Sequence, residues 1–299
     1  MKKRFIVFMI TGTLLLLSGL IIISFDASLH LIEKNKRTPK VLVLIAATDD
    51  KPVYNKFHRL WRQYKDIDPE HIEVYFLRAD PELPVACRID GDVIWARTTE
   101  NQIPGATDKT IAALELLWPR IKKEFDFVLR TTLSSFIVFP RMLSYLKACP
   151  QERYYGGSTL FIREWLDNGV FCYDSGCDYP SSKDVVGRLG VLNYGSGSGF
   201  IISRDLVKMI LDHKQELFNN TSTYDDVLFG QFFRNYGIAI TPFDRRNFVR
   251  IDDWHESKDS IPEDIFHFRI KHPEAVRSIY DIYVYSELLA MFYPSRAII

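Results

Sequence analysis

Residues 40–47, Lys-Val-Leu-Val-Leu-Ile-Ala-Ala, place seven apolar side chains in succession. A strand with one wet face alternates apolar and polar residues. An unbroken apolar run instead suits a strand covered on both faces, as inside a parallel sheet. Thr48-Asp49-Asp50-Lys51-Pro52 reads as the turn that ends it. Beyond that turn, helical and strand patterns alternate. Val53, Phe57, Leu60 and Tyr64 give helical spacing over 53–65, and 72–77 (Ile-Glu-Val-Tyr-Phe-Leu) reads as a strand. Asp92-Val93-Ile94-Trp95 is a third, short strand. A helix over 104–124 carries Ile111, Leu114, Leu117, Trp118 and Ile121, with Pro119 as a bend, and 126–130 is the fourth strand. Strand–helix alternation at these lengths predicts an α/β fold of right-handed crossovers on a mostly parallel, Rossmann-like sheet.

The second half is less regular. A short helix is expected at 141–148, and 151–192, rich in Gly, Ser, Asp and Tyr, reads as a long loop of the kind that forms lids or acceptor-facing surfaces. A strand at Phe200-Ile201-Ile202 is followed by helices over 205–217 and 224–236, a mixed segment over 237–272 and a helix over 274–292. There is no internal repeat and no low-complexity tract.

The N-terminus has a different character. Met1-Lys2-Lys3-Arg4 precedes an uncharged run from Phe5 to Phe25, about the ~20 residues a membrane helix needs. It exceeds a secretory h-region of ~7–15 residues and has no small-x-small cleavage site. The expectation is a cytoplasmic tail (1–4), an uncleaved signal anchor (5–25), a polar stem (26–39) and a luminal domain (40–299). Lys34, Lys36, Arg37 and Lys40 on the far side run against that orientation, and a long signal peptide is the alternative. Asn219-Asn220-Thr221-Ser222 holds two overlapping glycosylation sequons, in keeping with a luminal location. The four cysteines (Cys87, Cys149, Cys172, Cys177) allow three pairings, and Cys172 with Cys177 encloses a short turn-rich loop. No Cys-x-x-Cys or His-x-x-x-His spacing occurs, which makes a zinc site the less favoured reading. Formal net charge over the 299 residues is zero, so no global basic field argues for nucleic acid.

Three stretches carry the chemistry. In 125–136, Phe-Asp-Phe-Val-Leu-Arg-Thr-Thr-Leu-Ser-Ser-Phe, an apolar strand ends in a polar turn, and ligands of open α/β sheets bind where strands end. Asn193-Tyr194-Gly195-Ser196-Gly197-Ser198-Gly199-Phe200 alternates glycines, which permit positive φ and close backbone approach. Taken alone it reads as a flexible loop, and its spacing is not a dinucleotide fingerprint. Tyr224-Asp225-Asp226-Val227 opens an amphipathic segment, where carboxylates also serve simply to offset unpaired N–H groups and the helix dipole.

Together these stretches resemble glycosyltransferase family 31, the β-1,3-galactosyltransferase-like enzymes. Residues 193–206 are similar to that family's Tyr-x-x-Gly-x-Gly-Tyr-x-x-Ser-x-Asp-Leu. Asp225-Asp226-Val227 with Gly230 resembles its Glu-Asp-Val followed three residues later by Gly. Looser matches are Val74-Tyr75-Phe76-Leu77, Asp92-Val93-Ile94, Lys109-Thr110 and Arg59-x-Trp61, so the likeness covers roughly residues 40–243. It implies a GT-A nucleotide-diphospho-sugar transferase fold. It also implies inverting transfer of a hexose or N-acetylhexosamine from a UDP-sugar to a hydroxyl of a glycan or glycoconjugate, in the Golgi or another endomembrane compartment. Asp226 is the implied general base, with Asp225 the alternate. Arg130, Thr131, Thr132, Ser134, Lys109, Asp49, Gly197 and Gly199 are the implied donor-binding residues.

The chain departs from the family at one place. The family's strand is followed by Lys-Thr-Asp-Asp-Asp-x-Phe-Val, whose aspartates hold a metal. Here the register gives Arg130-Thr131-Thr132-Leu133-Ser134-Ser135-Phe136-Ile137. Thr132, Leu133 and Ser134 cannot hold a divalent ion alone, and Asp49 and Asp50 end a different strand. The cofactor expectation is therefore none, with manganese as the alternative if His267, the counterpart of a late metal-ligating histidine, recruits other ligands. Fixed cations can replace a metal physically. In His267-Phe268-Arg269-Ile270-Lys271-His272, an extended segment puts His267, Arg269 and Lys271 on one face. Arg269 and Lys271 are thus expected to neutralise the diphosphate, and Arg245-Arg246 is a basic pair of open meaning. A Rossmann oxidoreductase is disfavoured by the missing Gly-x-Gly-x-x-Gly turn. The remaining alternative is a catalytically inactive, membrane-anchored pseudo-glycosyltransferase that binds carbohydrate or a protein partner.

Overall fold

The computed structural model describes residues 37–48, 50–165, 171–173, 189–218 and 224–297. The expected tail and membrane segment, most of the stem, Asp49, Cys177 and both sequons lie outside the described residues. No described helix is long and apolar enough to cross a membrane. Contacts divide the chain at Thr38/Pro39, and the fold is that of the second unit, Pro39–Ile299.

The apolar run forms β1 (Val41–Ala46), and every residue from Val41 to Ile45 is fully buried. It pairs in parallel with β2 (Ile72–Ala79) on one side and β5 (Phe127–Thr132) on the other. Between β1 and β2, Pro52 starts α1 (Pro52–Tyr64), where its missing N–H costs nothing. β3 (Cys87–Asp90) and β4 (Val93–Ala96) form a hairpin, with β4 parallel to β2. α2 (Gly105–Glu124) stays helical through Pro119 and leads into β5. β6 (Ser135–Ile137) and α3 (Phe139–Ala148) come directly after.

The expected loop over 151–192 is in large part sheet: β7 (Tyr155–Trp165), β8 (Phe171–Tyr173) and β9 (Leu189–Ser203), with β7 antiparallel to both β8 and β9. The Gly-Ser-Gly run lies inside β9, not in a loop. Among the described glycines only Gly91 and Gly237 have positive φ. Glycine is needed in β9 for close approach instead. A Cβ on Gly230, in the helix packed against β9, would sit 2.3 Å from the Tyr194 Cβ, and one on Gly199 would sit 2.6 Å from the His267 ring. Beyond β9 the expected 205–217 helix is two, α4 (Arg204–Asp212) and α5 (Lys214–Phe218), because His213 leaves helical geometry. Then come α6 (Asp225–Asn235), β10 (Thr241–Pro242), β11 (Arg245–Phe248), α7 (Ile251–Ser257), β12 (His267–Ile270) and α8 (Arg277–Phe292).

The result is an α/β fold with a mixed sheet in the order β10-β7-β9-β5-β1-β2-β4-β3 and β8 attached to β7. The sheet is less parallel than expected. Among the described pairings, β1–β2, β1–β5, β2–β4 and β7–β10 are parallel, whereas β3–β4, β5–β9, β7–β8 and β7–β9 are antiparallel. Successive strand residues point to opposite faces, so β1 feeds two cores. Val41, Val43 and Ile45 pack with Phe57, Trp61 and Tyr64 of α1 and with Tyr285 and Leu288 of α8, whereas Leu42 and Leu44 pack with Ile111, Leu114 and Leu117 of α2. Truncating such a fully buried leucine to alanine costs about 2–5 kcal/mol.

A small second sheet, β11-β12-β6, is held by aromatic groups from the first core. The Tyr64 hydroxyl contacts the Tyr285 hydroxyl at 3.2 Å and accepts from the Ile137 N–H at 3.4 Å. The Tyr293 hydroxyl accepts from Phe139 N–H and donates to the Ile137 carbonyl. Trp61 Nε1 donates to the Leu133 carbonyl at 3.1 Å, fixing the turn between β5 and β6. Trp61 thus positions the Thr132-Leu133-Ser134 turn.

Candidate active site

β1 is flanked by its successor β2 on one side and by β5 on the other, which makes the edge between β1 and β5 the point where the strand order reverses. Open α/β sheets bind ligands in the crevice outside the carboxyl ends of such strands. A cavity of about 700 Å³ opens there, within the ~300–1,000 Å³ usual for ligand pockets. Ala46, Ala47 and Thr48 line it from the end of β1, and Thr132, Leu133 and Ser134 from the end of β5. Ser196, Gly197 and Ser198 of β9 and Asp225 and Asp226 of α6 form a further wall, and Arg245, Arg269 and Lys271 close it from the small sheet.

The two adjacent carboxylates are held differently. Asp225 is 7 % exposed and ion-paired with Arg130, itself 3 % exposed. The same guanidinium donates to the Gly197 carbonyl. Asp226 has no ion-pair partner among the described residues. Its Oδ2 accepts from the Gly197 N–H at 2.7 Å and its Oδ1 from the Val227 N–H at 2.9 Å. A Cβ on Gly197 would sit 2.9 Å from Asp226 Oδ2, so glycine lets the carboxylate lie against the strand. Burial and the neighbouring Asp225 charge push the Asp226 carboxyl up to about 6, against the opposing pull of the Gly197 N–H and Arg130. A carboxylate tuned to about 6 in a cleft is ionised near neutral pH yet basic enough to take a proton.

The other expected donor-binding residues separate into those that face the cavity and those that support it. Thr132, Ser134, Gly197, Arg269 and Lys271 face it. Thr131 does not; it is fully buried and donates its hydroxyl to the Ser198 carbonyl at 2.6 Å, as Ser135 does. Gly199 is likewise structural, its missing Cβ making room for the His267 ring. Arg130 and Lys109 line the cavity with their charges already matched. Lys109 pairs with Glu100 and donates to the Ala47 carbonyl at 3.0 Å. Burial lowers its ammonium pKa, and Glu100 opposes that shift. Asp50 lines the cavity and accepts from the Thr48 hydroxyl at 3.0 Å.

The residues at the metal register do not fit a divalent cation. Thr132 and Ser134 offer hydroxyls, Leu133 offers an apolar side chain, and the Leu133 carbonyl is taken by Trp61. Among the described residues, no group of three His, Cys, Asp or Glu side chains converges to hold a metal. His267 is fully buried behind Gly199 and does not line the cavity. Its ring meets the Ser198 backbone at less than ideal hydrogen-bond geometry. Burial, then Arg245 and Arg269, hold its pKa well below the usual histidine range.

Arg245 is the principal residue that sequence reasoning left undecided. It lines the cavity and donates to the Ser198 hydroxyl. Only its parallel pairing with His267 in the small sheet brings it to the site, and no local pattern encodes that pairing. Tyr54, Glu100 and Asn101 also line the cavity and carry no motif. Cys87 and Cys149 are thiols, the latter donating to the Tyr145 carbonyl at 3.5 Å. No family model matches this chain, and no curated protein matches it.

Proposed function

We propose that this chain is an inverting glycosyltransferase of GT-A fold that moves a hexose or N-acetylhexosamine from a UDP-sugar to a hydroxyl of a glycan or glycoconjugate. The observation that carries the reading is Asp226: a carboxylate facing a cavity at the β1–β5 edge, held by the Gly197 and Val227 N–H groups, with no ion-pair partner among the described residues and its pKa pushed up to about 6 by burial and Asp225. In the reaction, Asp226 takes the proton of the acceptor hydroxyl. The hydroxyl oxygen attacks the anomeric carbon from the face opposite the diphosphate. The carbon–oxygen bond to the diphosphate breaks, its electron pair stays on the departing oxygen, and configuration inverts. Such a base supplies about 10²–10⁴ in rate. Asp225 serves the site indirectly, by anchoring Arg130 and by raising the Asp226 pKa. We further propose a single-pass type II protein of the Golgi or another endomembrane, anchored by residues 5–25 with its catalytic domain luminal; the uncharged run after Lys2-Lys3-Arg4 supports this.

The test is a screen of UDP-hexoses and UDP-N-acetylhexosamines for UDP release, alone and with glycan acceptors, with manganese and with chelator. One donor is expected to release UDP with wild-type protein and to bind without release to Asp226→Asn. A donor that binds wild type but is never cleaved would favour the pseudo-transferase alternative. No binding of any UDP-sugar would sink the transferase reading.

A further inference from the structure

The cationic side chains that line the cavity divide by their partners. Four are matched: Lys51 with Glu274 at 3.1 Å, Lys109 with Glu100, Arg130 with Asp225, and Arg277 with Asp281 at 2.7 Å. Three are not: among the described residues, no carboxylate comes within ion-pair distance of Arg245, Arg269 or Lys271. These three share a wall. Arg245 pairs with His267 across β11 and β12, so Arg245, Arg269 and Lys271 project from the face opposite Phe268 and Ile270, which fill the core. Arg245 gives one N–H to the Ser198 hydroxyl, and its Nε has no partner.

Such an arrangement sets three like charges on one wall, with Arg245 and Arg269 half-buried and Lys271 at the exposed end. Burial and mutual repulsion lower the pKa of all three: Arg245 falls to about 10 under burial and Arg269, Arg269 under burial and Arg277, and Lys271 under burial, Arg269 and Arg277. A bound anion would offset that mutual repulsion. Guanidinium groups bind phosphate oxygens in bidentate fashion, and the wall faces the same cavity as Asp226.

We infer that Arg245, Arg269 and Lys271 form a cation-only clamp for a diphosphate group, which binds it without a divalent ion and stabilises it as the leaving group. The clamp depends on the glycosyl-transfer reading only for what the diphosphate is attached to. In that reaction, the electron pair of the broken sugar–oxygen bond comes to rest on a diphosphate oxygen facing these three side chains, while the acceptor proton goes to Asp226.

Calorimetric titration of the full chain in mild detergent and excess chelator tests it, with pyrophosphate and uridine diphosphate as probes. Both are expected to bind. Lys271→Gln, at an exposed position, should weaken both several-fold, and Arg269→Ala with Lys271→Gln by more than about tenfold. Arg246→Ala, on the opposite face of β11, should bind as wild type. Binding that appears only when manganese is added overturns the clamp. So does uridine diphosphate binding without pyrophosphate binding, or a folded double variant that binds unchanged. Pyrophosphate binding with no transfer from any donor would remove the glycosyltransferase reading and leave the clamp standing. Transfer that survives in the double variant would do the reverse.

Discussion

The two walls of the cavity treat charge in opposite ways. On the wall built by α2, β5, β9 and α6, Lys109 meets Glu100 and Arg130 meets Asp225, so each cation there is matched. On the wall built by the small sheet, Arg245, Arg269 and Lys271 meet no carboxylate among the described residues. A matched buried pair holds elements together, and losing one partner strands the other charge at a cost of about 3–5 kcal/mol. An unmatched cation contributes little to the fold and keeps its capacity for an anionic ligand. Asp226 stands between the two regimes, with no ion-pair partner among the described residues but held by backbone N–H groups.

The comparison predicts a graded set of effects. The largest is on turnover: Asp226→Asn should lower it by about two to four decades while donor binding persists, read by steady-state kinetics beside donor titration. Near-normal turnover would move the base role elsewhere. Next is Arg130→Met, which strands Asp225 and should cost about 3–5 kcal/mol, or roughly 6–20 °C in melting temperature. A melting curve like that of wild type would mean the matched wall is not structural.

Acidity gives a smaller effect. Asp226 feels Asp225 from its own helix, Arg130 from β5 and the Gly197 N–H from β9, and it favours the charged forms of Arg245 and Arg269 in the small sheet. Turnover should be flat above about pH 6 and fall about tenfold per pH unit below it, as the base takes up its proton. The stability sign is opposite to that of a salt-bridged acid. The native carboxyl holds its proton up to about pH 6 and an unfolded one only to 3.8, so this group's contribution to stability declines as pH rises between those values. A rate profile with no break near 6 would count against Asp226. The smallest effect sharpens the contrast most. Arg269→Met should change stability by no more than about 1 kcal/mol, in either direction, because it strands no partner. A loss comparable to that of Arg130→Met would erase the distinction between the walls.

Legibility tracked the range of the interactions. β1, α1, β2, β4, α2 and β5 were readable because burial on both faces, or on one helical stripe, is written in local periodicity. The long β7 was not, and of β9 only the end at Phe200-Ile201-Ile202 was. Their glycines and serines imitate a loop, and their strand character comes from pairing with each other and with β5. At the site, the Asp225-Asp226 pair was visible, but not the division of labour within it, since Arg130 lies 95 residues away from its partner. Thr131 and Gly199 looked like ligand contacts, because a motif reports position along the chain but not which side of a strand meets the cavity.

The sequence by itself determined that this chain builds an α/β sheet with a polar, carboxylate-bearing edge, because apolar periodicity and turn chemistry act over a few residues. It also determined that no three aspartates follow β5. Only the tertiary structure decided which charges meet. Arg130 is spent on Asp225, while Arg245, Arg269 and Lys271 come together with no ion-pair partner among the described residues, and burial beside Asp225 pushes the Asp226 carboxyl up to about 6. Coulombic and desolvation energies depend on distance and burial through space, and the pairing of β11 with β12 and the packing of α6 against β9 set both.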